Sequence, residues 1–342
     1  MRAAVLEAPR RFAVVGRDMP HPGPGEVRVR TVATAVCHTD LSIYTGQHPG
    51  VHYPLVLGHE STGVVDAVGD GVTALHPGQQ VIVNPAISCG RCDCCVRGDT
   101  HLCRKAGMFG RDIEGSLNQY VCLPERFLHV LPAGLPLNEA TLIETLATVR
   151  HAQKRLDLRV GESVVVLGEG TSGLLHTRLA ALSGANPVIA VSRSRWKLDL
   201  ASAMGAHHAI DTGAEGSVSE VLRLTGGNGA DTVIDTAGGA AALRAGIGML
   251  RPGGRFLAFS ISHESAGDLN LFPFYYKEIS VIGSRALLAE DMAPSIELVA
   301  AGAIDVKSFI TATYPLGHAA EAFREYEKNP GRILRIVIDS QG

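Results

Sequence analysis

Charge is scarce in this sequence. Only 19% of its 342 residues are Asp, Glu, Lys or Arg, and the 31 basic ones nearly balance the 34 acidic ones. The formal net charge is −3 with neutral histidines, so no basic face for nucleic acid is implied. Long hydrophobic runs are missing too: nothing approaches the roughly 18 uninterrupted apolar residues of a membrane span. The opening Met1-Arg-Ala-Ala-Val-Leu-Glu7 reaches a charge too soon for a secretory h-region. Without such a signal, the seven cysteines are expected in a reducing compartment, the cytoplasm by default. What the chain does have is 46% hydrophobic residues, ample for two cores in a soluble chain of this length. Its 39 glycines and 17 prolines are spread among apolar runs, the mark of a turn-rich α/β or β protein.

The pattern changes character twice. Up to about residue 135 the apolar runs are short, β-branched and broken by Gly and Pro, with strands expected over 27–36, 64–68, 81–83 and 120–123. A helix is expected over 138–155, with Leu142, Leu146 and Val149 on one face. Strands at 163–167, 187–191, 230–234 and 255–259 then alternate with Ala-rich helical stretches, which predicts a parallel sheet with crossover helices. After a strand at 279–283 come helices over 291–301 and 318–328 and a last strand over 333–338. The expected order is a β-rich domain, an inserted α/β domain, and a C-terminal segment that rejoins the first.

The strand at 163–167 ends in Gly168-Glu-Gly170-Thr171-Ser172-Gly173, and a helical run follows. The first Gly permits a tight turn, and the second lets the backbone approach a pyrophosphate. The third allows close helix–strand packing, and the helix N-terminus supplies N–H groups. The strand before, the helix after and the next strand at 187–191 give this G-x-G-x-x-G its required setting. NAD enzymes carry Asp or Glu at the end of that next strand. Here Ser192, Arg193, Ser194 and Arg195 stand there, with Lys197 close enough to assist at the ribose. Without a carboxylate to repel a 2′-phosphate, and with arginines to bond it, NADP(H) is expected over NAD(H).

Cys89-x2-Cys92-x2-Cys95-x7-Cys103 has the spacing of a closed tetrahedral zinc site with a structural role, and Cys94 is a fifth thiol in the same loop. Cys37-His-Thr-Asp40, His59-Glu60 and Glu144 are further candidates. Spacing alone does not join them, since His59 also reads as a core histidine and Glu144 as a helix-surface carboxylate.

With these motifs on the page, the chain resembles the zinc-containing medium-chain dehydrogenase/reductases, the alcohol and polyol dehydrogenase superfamily. The resemblance runs nearly end to end. It is most specific in Gly58-His-Glu-Ser-Thr-Gly63-x5-Gly69-x2-Val72, which fits the family's zinc signature at every fixed position. It implies a GroES-like β-rich catalytic domain (1–147), an inserted Rossmann domain of doubly wound parallel sheet (148–283), and a segment returning to the first domain (284–342). Carried onto this chain, it implies a catalytic zinc on Cys37, His59 and Glu144 and a structural zinc on Cys89, Cys92, Cys95 and Cys103. Glu60 would be a carboxylate that can enter the metal's coordination when water or substrate leaves. Thr39 would bond the substrate hydroxyl and begin the proton path. His38 and Arg335 would meet the coenzyme pyrophosphate, and Thr148 and Ser172 would lie near the nicotinamide. A Glu as third ligand suggests the sorbitol-like branch, although Glu144-Thr-Leu lacks that branch's Pro. Ser42 stands where the ethanol-type relay has its terminal His.

The expected activity is therefore zinc-dependent hydride transfer between NADP(H) and a secondary alcohol, polyol or sugar. Two alternatives remain at this stage: NADPH-dependent reduction of an activated C=C or C=N bond, and a non-catalytic zinc- and nucleotide-binding protein. Relatives of this kind assemble as dimers or tetramers, so a homodimer or homotetramer is expected. The expected partner is a small alcohol or carbonyl substrate, with neither nucleic acid nor membrane.

Overall fold

In the computed structural model, which describes residues 1–212 and 216–342, the strand Glu26–Val36 buries alternate side chains and then all of its last four. That change from one buried face to two marks a strand whose C-terminal end enters the interior. It is the backbone of a seven-stranded sheet ordered Leu128–Val130, Gln80–Val83, Glu60–Val68, Glu26–Val36, Arg335–Asp339 and Ile310–Pro315. Tyr120–Pro124 pairs with the first half of Glu26–Val36. A smaller sheet of Arg11–Gly16, Arg2–Ala8 and Leu55–Val56 completes the β-rich unit, Met1–Ala147 with Leu287–Gly342.

Register decides which side chains meet at the buried end. Ala35 lies opposite Glu60 in one antiparallel pair, and Val36 opposite Ile336 in the other. The chain just past Val36 is thus flanked by His59 and Glu60 on one side and Arg335 on the other, although these residues are far apart in sequence. There Cys37 caps the short helix His38–Tyr44, with the Asp40 carboxylate accepting the Cys37 backbone N–H at 2.9 Å. Tyr44, at the helix's end, is held in a cluster with Phe12 (5.8 Å between centroids) and Phe323 (5.2 Å). Aromatic contacts of this kind contribute about 0.5–1.5 kcal/mol each beyond area burial. They pin the helix that carries His38 and Thr39.

The second unit, Thr148–Ala286, is a doubly wound sheet of six parallel strands. Its order is His208–Asp211, Val188–Ser192, Val164–Leu167, Ala230–Asp235, Leu250–Ala258 and Ser280–Gly283. Val164–Leu167 is buried at every position, as a central parallel strand covered on both faces must be. Five of the six strands follow from the apolar runs. His208–Asp211 does not, because only Ile210 in it is buried and no hydrophobic run announces it. The helix expected over 138–155 is two pieces, Leu137–Ala140 and Leu142–Leu156. Among the described residues, no helix is long and apolar enough to cross a membrane.

Candidate catalytic, zinc and nucleotide sites

At the buried end of the first unit's sheet, ligand atoms of Cys37, His59 and Glu60 lie within 4.8 Å of one another. Glu60 is fixed at one oxygen: Oε1 accepts from the Thr145 hydroxyl at 3.0 Å and lies 3.3 Å from Arg335 Nη1. Its other oxygen, Oε2, is buried with no hydrogen-bond partner among the described residues. An orphaned buried carboxylate oxygen beside a thiol and an imidazole is costly without a cation to receive it, so this set fits a metal ion. Glu144, in the first turn of Leu142–Leu156, is buried, and it does not fall in that 4.8 Å set of ligand atoms. Burial, and then the nearby Glu60 charge, push its carboxyl up to about 8, with His59 and Arg335 opposing.

Asp40, which closes the motif Cys37-His-Thr-Asp40 but has no role assigned from the sequence, organises this cluster. Fully buried, it accepts the N–H groups of Cys37 (2.9 Å) and Gly58 (3.2 Å) and lies 3.3 Å from His59 Nδ1. The last contact becomes an ion pair when the imidazole is protonated, and its geometry falls short of an aligned hydrogen bond. Burial pushes the His59 imidazole down, yet Asp40's charge outweighs it and the net shift is well upward. Gly58 sits at φ +97°, and a Cβ there would lie 2.6 Å from the Thr34 methyl, so only glycine lets His59 reach this position. The signal for the role of Asp40 is its place three residues after the cap, where a carboxylate closes a capping box.

Arg335 is buried in the same cluster. Its Nη2 donates to Thr145 Oγ1 at 2.9 Å and its Nη1 to the Val36 carbonyl at 3.2 Å. Burial lowers its affinity for a proton, but the Glu60 charge and its neighbours more than reverse this. His38 is exposed, and Thr39 and Ser42 are half-buried on the same short helix.

The second cluster gathers the sulfurs of Cys89, Cys92, Cys95 and Cys103 within 4.8 Å of one another. The Cys92–Cys95, Cys92–Cys103 and Cys89–Cys95 separations are 3.5, 3.8 and 4.0 Å. A tetrahedral zinc with bonds of about 2.3 Å has sulfur–sulfur edges of about 3.8 Å, so the four thiols fit the ion. Backbone N–H groups of Cys89 and Lys105 each point at the Cys103 sulfur at 3.3 Å, as suits a thiolate. The N–H groups of Arg104 and Cys95 pull the Cys92 thiol down to about 6. Cys94 lies outside the four-thiol set, 3.7 Å from an Arg97 guanidinium nitrogen.

In the second unit, Gly168 sits at φ +89°, and the helix Thr171–Leu182 begins at the cap Gly170. Thr236 ties the loop's carbonyl side, donating to Gly168 O at 2.6 Å. A Cβ on Gly173 would lie 1.9 Å from Gly168 O, while one on Gly170 would meet nothing within 4 Å. The third glycine therefore serves packing and the second leaves a cradle open, as a bound pyrophosphate requires. Thr171 is buried and Ser172 half-buried in the helix's first turn, and Thr148 is half-buried on its own helix. At the end of Val188–Ser192, Ser192 Oγ accepts the Ser194 N–H at 3.3 Å. Arg193 is exposed, whereas Arg195 pairs with Asp199 at 3.2 Å. Lys197 is partly buried, which lowers its proton affinity.

Residues 23–133 match the family model for the alcohol dehydrogenase GroES-like domain, and residues 173–301 that for zinc-binding dehydrogenase. The chain is 33% identical to the 2-dehydro-3-deoxy-L-galactonate 5-dehydrogenase of Pseudoalteromonas atlantica, over 98% of each chain. It is 32% identical to a sorbitol dehydrogenase of Halalkalibacterium halodurans, over 96% of this chain and 95% of the relative. Among solved structures, the alcohol dehydrogenase TADH of Thermus sp. ATN1 superposes with a TM-score of 0.92 at 29% identity, over 99% of each chain. The protein belongs to the zinc-binding, GroES-like alcohol dehydrogenase family of oxidoreductases.

Proposed function

We propose that the protein interconverts a secondary alcohol, polyol or sugar with its ketone, using NADP(H) and a zinc ion held by Cys37, His59 and Glu144. The observation that carries this reading is the convergence of Cys37, His59 and Glu60 within 4.8 Å, with buried Glu144 acting electrostatically on the same groups. When bound, the zinc supplies Lewis acidity at the substrate oxygen and the dinucleotide supplies the hydride acceptor or donor. Asp40 turns the His59 ring and anchors the Cys37 and Gly58 amides, so thiol and imidazole keep a fixed relation. Arg335 and Thr145 hold Glu60 by one oxygen, leaving Oε2 available beside the metal set. Thr39 would relay the proton of the substrate hydroxyl, accepting it as its own hydroxyl proton passes outward. Ser42, three residues on and therefore on the same helix face, would pass a proton on in the same way to solvent water, which carries it off. The four-cysteine lobe holds a second, structural zinc.

The substrate class rests on the third ligand and on charge. Both relatives above are named for sugar-derived substrates, one an acid and one a neutral polyol. Arg111 follows Gly110, whose backbone lies against Gly58, yet its guanidinium is neutralised by Asp112 at 2.6 Å. That favours a neutral polyol or sugar over an anion. For the cofactor, exposed Arg193 can bond a 2′-phosphate, with Lys197 close enough to assist at the ribose, whereas Arg195 is engaged with Asp199. The protein assembles through a second copy of itself at the open sheet edge Ser280–Gly283.

The test is metal content by mass spectrometry together with nicotinamide absorbance over a panel of polyols, sugars and secondary alcohols. Wild type should hold two zinc ions per chain and turn over with preference for NADP+. Glu144→Ala should lose one zinc and its turnover while keeping the other. Arg193→Ala should raise KM for NADP+ by about tenfold to a hundredfold, the worth of one charge-assisted bond, and leave NAD+ kinetics unchanged. Glu144→Ala with full zinc and full turnover would sink the ligand assignment, and an unchanged NADP+ KM the cofactor one.

A further inference from the structure

The glycine loop holds a residue that no role above uses. Glu169, between Gly168 and Gly170, is 1% exposed and turns inward. Its two oxygens lie 3.1 and 3.3 Å from a single partner, the Thr177 hydroxyl on the helix Thr171–Leu182. An ionised carboxylate offers about four acceptor sites, and one hydroxyl supplies one donor. A neutral carboxyl fits this geometry better, because it can donate to Thr177 Oγ1 through one oxygen and accept from it through the other.

No charged group among the described residues compensates it. The strand leading into the loop, Val164–Leu167, is wholly apolar. The helix Thr171–Leu182 contributes Thr177 and buried His176, whose imidazole burial pushes down to about 3 and thus keeps neutral. Asp235, at the end of Ala230–Asp235, is taken up by the N–H groups of Ala237 and Gly238 and by Ser260. On Leu142–Leu156, Gln153 bonds His176. Burial raises the Glu169 carboxyl well above the ordinary carboxylate range, with only the Thr177 hydroxyl opposing.

We infer that Glu169 is a further residue of the nucleotide site, whose ionisation sets how well the glycine loop accepts a dinucleotide pyrophosphate. The inference rests on the nucleotide reading above. Neutral Glu169 leaves the loop's N–H groups and helix terminus uncompensated and ready for an anion. Ionised, the same side chain puts a negative charge within the loop, and pyrophosphate and carboxylate disfavour one another. Dinucleotide binding therefore takes up a proton, and affinity falls as pH rises through the free protein's titration. Stability follows the same sign. The unfolded chain loses this proton near 4.5 and the folded one holds it higher, so Glu169 costs stability increasingly above that pH.

The experiment titrates wild type and Glu169→Gln with NADPH across the range from pH 5 to pH 10, following nicotinamide fluorescence. Calorimetry in two buffers of different ionisation enthalpy counts protons, and thermal midpoints are taken without nucleotide. Wild-type Kd should rise by up to about tenfold per pH unit on the alkaline side, with proton uptake. Glu169→Gln should bind with a flat profile and melt higher than wild type at pH 9 but not at pH 5. Glu169→Ala, which also lacks the carboxyl, stands in for the Gln variant if that one fails to fold. Parallel pH profiles in wild type and variant, with no buffer-dependent heat, overturn the inference alone. Absence of NADPH binding to wild type at pH 7 overturns the nucleotide reading, and this inference with it.

Discussion

Asp40 carries three polar contacts at once, one past the end of Glu26–Val36 and two in the segment just before Glu60–Val68. It holds Cys37 and Gly58 by their amides and faces the His59 ring, all without exposure to solvent. Asp40→Ala removes a buried acceptor and leaves those donors unpaired, a change that costs about 3–5 kcal/mol. Carboxylates that orient a metal-binding histidine typically change metal affinity by about 10–100-fold when lost. Asp40→Asn keeps the volume but turns an amide N–H toward one of these donors, and should release zinc during dialysis against a chelator that wild type survives. Zinc retention equal to wild type would remove Asp40 from the site. This is also where the sequence stops being readable. Cys37, His59 and Glu60 sit in short contiguous motifs with a recognisable spacing. The pairing of Glu60 with Arg335 and Thr145 depends on strand register between segments far apart in the chain, and no local pattern encodes it.

At the scale of elements, the parallel strands announced themselves because a strand covered on both faces must be a continuous apolar run, as at Val164–Leu167. His208–Asp211 stayed hidden because an edge strand with one buried residue has no such run. The glycine loop lies between these cases: its motif was legible, but the separate duties of its glycines needed coordinates. Gly173→Ala would force a methyl to 1.9 Å from Gly168 O, a backbone atom that cannot yield cheaply. Loss of at least about 1–3 kcal/mol, the usual cost of overpacking, is expected, together with loss of nucleotide binding. Gly170→Ala meets nothing within 4 Å at an ordinary φ of −79°, so the thermal midpoint should hold or rise slightly. Its methyl would nevertheless occupy the open side of the loop and weaken NADPH binding. The pair separates folding from binding: one variant should lose both, the other only affinity. If Gly170→Ala binds NADPH as wild type does, the pyrophosphate does not lie on that side of the loop.

For the whole molecule, the two fold types and their order along the chain were legible, since the change from short β-branched runs to alternating strand and helix is a change in period. The surface through which the expected homodimer or homotetramer would form was not, because a sequence does not show which apolar residues remain exposed. Among the described residues of the second unit, the last strand, Ser280–Gly283, has a neighbour on one side only, and Val281 on it is half exposed. Nearby in the chain, Ile261 is 81% exposed, Tyr275 82% and Tyr276 72%, and Phe272 stacks on Tyr276 at 5.4 Å. Open strand edges are ordinarily blunted by charge, proline or cover, and an apolar one invites pairing. A two-fold axis through this strand would pair it antiparallel with itself and bury the same aromatic side chains on both copies. Tyrosines at the centre of such an interface are worth about 2 kcal/mol or more each. Light scattering of wild type should therefore give two or four times the 36.0 kDa chain mass. The double variant Tyr275→Glu, Tyr276→Glu would bury four carboxylates per two-fold contact, and its dissociation constant should rise at least about a thousandfold. A tetramer would fall to dimers and a dimer to monomers, with secondary structure by circular dichroism unchanged. A wild-type chain that scatters as a 36.0 kDa monomer at micromolar concentration would remove this edge as an interface.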